Sequence, residues 1–278
     1  MSNETHSHIV VSGVDVVYEG NPRRLQALDG IDLTVGRGEF VSIIGPSGCG
    51  KSTLLRVIGG LQSPTRGDVL LDGQPPREAQ RAKQIGFVFQ DPSLLPWRTV
   101  VDNVRLPLLV NRKESMSSLP LRGRGGGRGR GSDLPERMVD LVGLSDFGRY
   151  YPHQLSGGMQ QRVALARSFV TAASVLLMDE PFGALDEITR TAMRYELMRI
   201  WRSEAADRTC TVVFVTHSIA EAVLLSDRVI VMTPQPGRIA ANLEIDLPRP
   251  RHEDIEATPA FNEYTQALRG LLREHALV

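Results

Sequence analysis

Cysteine is scarce in this chain. Its 278 residues include two, Cys49 and Cys210, too few for the disulfide framework of a small secreted fold. A reducing cytosol is the expected setting. Net charge is missing as well: 32 Lys and Arg balance 32 Asp and Glu. That removes the positive surplus of a general nucleic-acid binder. Long apolar runs are also absent. "VVFV" and "VLLM" are strand-sized, far short of the roughly 20 residues that span a bilayer. The opening "MSNETHSH" is polar and lacks the apolar core of a signal peptide. Work at a membrane would therefore need a partner.

What is present reads as an ordinary globular chain. It is 41% hydrophobic and 23% charged, with room for one large domain or a domain and a subdomain. "IVVSGVDVVY", "LDGIDLTVGRGEFVSIIG" and "GDVLLDG" alternate β-branched runs with glycine, predicting strands joined by turns, partly antiparallel. "FVSIIG", "SVLLMD" and "TVVFVTH" are apolar without alternation, as strands buried on both faces of a parallel sheet are. Helical patterns follow each, in "KSTLLRVIGGL", "EITRTAMRYELMRIWRSEA" and "SIAEAVLLS". The fold class is α/β.

Residues 91–155 interrupt this rhythm. "DPSLLPWRTVVDNVRLPLLV" and "LPERMVDLVGLSDF" read as helices, separated by a Gly/Arg/Ser-rich piece over 112–133 that is expected to be a mobile loop. Its Arg122, Arg124, Arg128 and Arg130 suit acidic ligands, although a solvated insertion is the simpler reading. Near the C-terminus, Phe261, Tyr264, Leu268, Leu271 and Leu272 share one helical face, predicting a helix docked on the main domain.

The chemistry begins at "GPSGCGKST", residues 45–53, which fits G-x-x-x-x-G-K-[ST] between a buried strand and a helix. Gly45, Pro46, Ser47, Gly48, Cys49 and Gly50 form the loop, and its backbone N–H groups surround phosphate oxygens at the positive end of the following helix. Lys51 is placed for the β- and γ-phosphates, Ser52 for Mg²⁺, and Thr53 completes the motif. "VLLMDE" carries Asp179 to a strand's carboxyl end, where ligands sit in open α/β sheets. There Asp179 suits Mg²⁺, and Glu180 can polarise an attacking water. His217 ends the next buried run, within reach of the γ-phosphate or that water. Gln90 closes "IGFVFQ" with an amide oxygen suited to Mg²⁺. Together these residues describe a nucleoside-triphosphate hydrolysis site.

"LSGGMQQR", residues 155–162, is left over. Ser156 reads as an N-cap, Gly157 and Gly158 leave first-turn amides bare, and Met159, Val163, Ala166 and Val170 form a buried stripe. This is a second anion-facing helix terminus; glycines that merely avoid a clash are the alternative. Taken in order, "GPSGCGKST", "FVFQ", "LSGGMQQR", "VLLMDE", "GALD" and "VTH" resemble the nucleotide-binding subunit of ATP-binding cassette (ABC) transporters. "MTPQPGRI" and "DLPRPR" look like its nitrate, sulfonate and taurine importer branch.

The resemblance implies a P-loop NTPase cassette over 1–245, with an antiparallel β subdomain, a helical subdomain near 91–170, and a C-terminal helical tail over 246–278. It implies ATP and Mg²⁺ as cofactors and a head-to-tail homodimer, in which Ser156, Gly157, Gly158 and Gln160 meet the partner's nucleotide. Asp186, in "GALD", would lie at the dimer seam. Tyr18, in "VVYEG", would stack on adenine, with an ordinary strand tyrosine as the competing reading. Membrane permease subunits would dock after Gln90, where Leu95, Pro96 and Trp97 suit such a surface or the core of the helical subdomain. A solute-binding protein would feed the permease. The expected location is the cytoplasmic face of the membrane, and the expected solute an aliphatic sulfonate, taurine or a nitrate-type anion. A soluble cassette ATPase acting on nucleic acid or ribosomes is the alternative. Cys49, inside the phosphate loop, raises the expectation of sensitivity to thiol oxidation.

Overall fold

A computed structural model describes residues 7–20, 24–110, 134–171, 173–203 and 210–276. The Gly/Arg-rich piece over 112–133 lies outside the described residues. The described residues divide into two compact units, one drawn from Met1–Phe87, Ser174–Glu180 and Leu197–Val278, the other from Val88–Ala173 and Pro181–Glu196.

The first unit contains two sheets. Strands β1 (Ser7–Tyr18), β2 (Leu25–Gly36) and β4 (Arg66–Leu71) pair antiparallel in the order β2-β1-β4. Their pattern is the half-buried alternation expected of such a sheet: Ile31, Leu33 and Val35 of β2 are buried and the residues between them exposed. In β1 the register slips between Val11 and Val14, where Gly13 takes φ +54° and its N–H donates to Asp32 Oδ1 at 2.8 Å. A glycine suits this bulge because its left-handed backbone strains any side chain.

The second sheet contains β3 (Phe40–Ile44), β5 (Ile85–Val88), β6 (Val175–Asp179), β7 (Thr211–Val215), β8 (Arg228–Met232) and β9 (Ile239–Glu244), ordered β5-β6-β7-β3-β8-β9. Every residue of β3, β6 and β7 is buried, and β7 runs parallel to both β3 and β6. The unalternating apolar runs follow from that, since each face must lose water. Burial of each such Val, Leu or Ile contributes about 1.5–3 kcal/mol, so these strands are a rigid platform. Helix α1 (Lys51–Ile58) packs on β6 and β7, and Leu54, Leu55 and Ile58 join one core with Ile9 and Leu28 of the antiparallel sheet. The short α2 (Pro76–Arg81) packs against β4. Sequence patterns alone passed over α2, β8 and β9.

The end of this unit is fastened by arginines. Helix α8 (Pro259–Ala276) buries Phe261, Thr265 and Leu268 and contacts α7 (Ile219–Leu225). Ahead of it, the buried Arg251 guanidinium donates to the carbonyls of Val223, Leu224, Ser226, Ile245 and Leu247 at 2.7–3.3 Å. Burial, with the neighbouring Arg249 charge, pushes its pKa down to about 10, so it stays protonated at neutral pH. It satisfies the free carbonyls of the α7 C-terminus. Arg249 donates to Asp227 and Leu225 O and lies 4.7 Å over the Trp201 ring. Arg251→Met, apolar and of similar length, strands these carbonyls. It should lower the melting temperature by about 5–15 °C; an unchanged thermal melt would show that the cap contributes nothing.

In the second unit, α3 (Val100–Val110), α4 (Leu134–Leu141) and α5 (Gly157–Phe169) pack on one another; α6 (Glu187–Ser203) begins in this unit. Val104, Val139, Val142, Val163, Ala166 and Val170 are buried, whereas Met159 is half-buried. One helical reading is corrected here. Residues 91–99 are not helix: Pro92 and Pro96 remove donors and restrict the residues before them. The buried Asn103 satisfies the turn instead, accepting from Leu95 N at 2.8 Å and donating to Leu95, Arg98 and Thr99 carbonyls.

Candidate functional site

The site grows from the register of the parallel sheet. Ile43 pairs with Val215 and Val215 with Asp179, so three strands end level. The residues that follow, 45–53, Glu180 and His217, therefore gather at one carboxyl edge, where open α/β sheets bind ligands.

The phosphate loop turns immediately after β3. Gly48 and Gly50 adopt φ of +77° and +101°, and Gly50 caps α1. A Cβ on Gly50 would lie 2.8 Å from Ala27 O and 2.7 Å from Leu28 Cδ2, so both conformation and space require glycine there. Lys51 is buried, and its Nζ donates to Gly45 O and Pro46 O, each at 2.9 Å. The ammonium is thus held inside the loop by the loop's own carbonyls. Ser47 and Gly48 stand exposed on the rim, and Thr53 is half-buried in the first turn of α1. Cys49 departs from expectation: it is 1% exposed, and burial pushes its thiol pKa up. Reactivity needs an accessible thiolate, so the expected sensitivity to oxidation has no physical basis at this residue.

Ser52 Oγ donates to Asp179 Oδ1 at 2.8 Å. Asp179 is buried, and desolvation raises its pKa against the opposing Ser52 bond and the charges of Arg56 and Lys51. A desolvated carboxylate beside a hydroxyl is a hard-oxygen donor pair, which fits Mg²⁺, an ion that takes one or two protein oxygens and draws the rest from phosphates and water.

Glu180 follows Asp179 with φ +46°, unusual for a residue with a side chain. Its N–H donates to Val215 O at 3.0 Å, and its Oε2 lies 3.2 Å from His217 Nδ1. Strain of this kind persists where the surroundings over-determine it, often at active sites. His217 is supported from behind. Thr216 N donates to Ile43 O, Thr216 Oγ1 donates to the buried Glu221, and Ser218 caps α7 by accepting from Glu221 N. Tyr18, 39% exposed, donates to Gln62 Oε1 at 2.9 Å with Thr53 Oγ1 3.3 Å away, which sets its ring beside α1.

The remaining candidates belong to the second unit. Ser156 caps α5, its Oγ accepting from Met159 N at 3.3 Å. The two glycines after it differ. A Cβ on Gly157 would meet nothing within 4 Å, while one on Gly158 would press on Ala184 O at 3.3 Å. Clash avoidance therefore accounts for part of Gly158 and none of Gly157. Gln160 Nε2 donates to Pro152 O and Leu155 O, bonds that a ligand contact would have to replace. Gln90 is exposed. The segment holding it is tied to α5 by Gln161, which donates to Phe89 O, and by Arg167, which donates to Pro92 O and Ser93 O. Asp186 caps α6, accepting from Thr189 N at 2.9 Å, and these bonds lower its pKa. Asn103, Gln161 and Arg167 were missed in the sequence because a polar residue on a helix gives no sign of which carbonyl it will meet.

A family model described as ABC transporter matches residues 28–183. An uncharacterized ABC transporter ATP-binding protein of Methanocaldococcus jannaschii is 44% identical over 96% of this chain and 92% of its own. The aliphatic sulfonates import ATP-binding protein SsuB of Bacillus cereus is 38% identical over 90% of each. The dimeric ATP-binding cassette MJ0796, in a post-hydrolysis state bound to ADP and Pi, superposes with a TM-score of 0.72 at 33% identity. That match covers 86% of this chain and 99% of the other. The chain belongs to the ABC transporter family as an ATP-binding cassette ATPase.

Proposed function

We propose that this ATPase powers a membrane importer for a small anion, most simply an aliphatic sulfonate, with taurine and nitrate as related solutes. The observation that carries the enzymatic part is the carboxyl edge of the parallel sheet, where Lys51, Ser52, Asp179, Glu180 and His217 converge. In this reading the backbone amides of 45–53 and the Lys51 ammonium bind the phosphates. Ser52 and Asp179 would hold Mg²⁺, which when bound draws charge from the phosphate oxygens. Glu180 takes the proton of the attacking water, and His217, hydrogen-bonded to it, orients that carboxylate and faces the γ-phosphate. Tyr18 offers its ring to adenine.

Ser156, Gly157 and Gly158 expose the positive end of α5 to the nucleotide of a second copy, and Asp186 lies along the same seam. Dimeric neighbours such as MJ0796 support the two-copy arrangement. Permease subunits are proposed at the turn before α3, because Trp97 is 71% exposed and Pro96 is exposed, which removes Trp97 from the core. No helix among the described residues is long and apolar enough to cross a membrane, and a peripheral place on the cytoplasmic face follows from the permease reading. The sulfonate assignment is supported by the likeness to SsuB. Cells lacking this chain should lose most uptake of labelled taurine, an alkanesulfonate or nitrate, and recover it with the intact gene but not with Lys51→Ala. Unchanged uptake of all three would overturn the solute assignment and leave the ATPase reading standing.

A further inference from the structure

The turn between β8 and β9, residues 233–238, lies directly behind the phosphate loop. It is closed on itself by Thr233, whose N–H donates to Arg238 O and whose Oγ1 donates to Pro236 O and accepts from Arg238 N. It is clamped to β2 by five further bonds: Gly237 N to Ala27 O and Asp29 N to Gly237 O, each 3.0 Å, Arg238 Nε to Asp29 Oδ2 at 2.8 Å, Arg238 Nη2 to the same oxygen, and Gln235 Nε2 to Gln26 O. At its tip, a Cβ on Gly237 would lie 2.0 Å from Cys49 O, 2.8 Å from Met232 Cε and 3.2 Å from Ala27 O. Gly237 has no left-handed φ. Glycine is needed here for space, and the neighbour occupying that space is phosphate-loop backbone.

We propose that Gly237 is a positioning residue for the nucleotide, acting through the peptide that joins Cys49 to Gly50. The Cys49 carbonyl and the Gly50 N–H belong to one planar trans peptide and point in opposite directions. With the oxygen turned toward Gly237, the amide is aimed away from it, to the other side of the loop. The β2 side completes the seat, since Gly50 abuts Ala27 O and Leu28. A methyl group on Gly237 must push one of two backbones aside by roughly an ångström, a displacement that can cost about a hundredfold where donors must be aligned. Of its neighbours only Met232 Cε is the free end of a flexible side chain; Cys49 O, the nearest, and Ala27 O are backbone.

The inference rests on reading 45–53 as the phosphate loop, and the experiment separates the two. Dissociation constants for ATP and ADP are measured by titration of the full chain, below the melting transition of each variant, with KM and kcat for ATP. Lys51→Ala tests the loop itself; if it binds ATP as tightly as the wild type, the loop reading and the inference fall together. Gly237→Ala should weaken ATP and ADP together by at least about tenfold and raise KM more than it lowers kcat. Leu268→Ala, buried in α8 of the same unit and away from the loop, controls for lost stability and should leave both dissociation constants unchanged. Wild-type affinity in folded Gly237→Ala, or an equal loss in Leu268→Ala, overturns the assignment. Should Gly237→Ala fail to fold, Arg238→Gln releases the ion pair to Asp29 and should raise KM about three- to tenfold, an unchanged KM being the contrary result.

Discussion

Glu180→Gln should lower ATP turnover by about 10²–10⁴-fold while the chain still binds ATP. Glutamine keeps the size of the side chain and can keep a hydrogen bond to His217, now 3.2 Å from the carboxylate, but it cannot accept the proton of the attacking water. Binding should be spared, because the phosphate contacts are proposed to come from the loop and Lys51. With hydrolysis blocked, ATP should hold two copies together, so the variant should sediment as a dimer with ATP and as a monomer without it. Steady-state turnover and sedimentation with and without ATP check both halves. Turnover near the wild-type rate would remove Glu180 from the role of base, and the left-handed backbone at φ +46° would then lack a functional account.

The second large effect is expected far from Lys51 in the chain. Ser156→Arg puts a long cation at the open end of α5, where the structure shows a cap and a bare Gly157. The cap itself contributes about 1 kcal/mol, which is roughly a fivefold effect on an equilibrium and acts on stability. A loss of phosphoryl-stabilising donors costs about 10²–10³-fold in turnover. The sizes differ enough to decide the matter: a drop above a hundredfold with ATP binding retained marks Ser156 as part of a hydrolysis site, and a small drop in melting temperature alone marks it as a cap.

These residues were unequally legible in the sequence. The phosphate loop, Asp179, Glu180 and His217 stand out because each ends a largely apolar strand, the composition that a sheet buried on both faces favours. The antiparallel strands were legible from alternation, and α8 from the spacing of Phe261, Tyr264 and Leu268. What escaped is carried by tertiary contacts without a local pattern. Asn103 looks like any helical polar residue until Leu95, Arg98 and Thr99 turn their carbonyls to it, and the same holds for Gln161 with Phe89. Arg251 reads as a surface charge, yet it is 4% exposed and binds five carbonyls. Gly237 reads as a turn breaker, and only the position of Cys49 O shows why no larger residue fits. The reading of 91–99 as helix failed because the apolar spacing outweighed two prolines, when the prolines decide the backbone.

The central claim is that a complete hydrolysis site takes its phosphate loop from one copy and its α5 terminus from another. Mixing equal amounts of Lys51→Ala and Ser156→Arg, each inactive alone, tests it most directly. A heterodimer of the two holds one site with an intact loop and an intact terminus, so the mixture should recover about a quarter of wild-type turnover. A mixture as inactive as its components would contradict the claim, and so would full turnover by a protomer held monomeric.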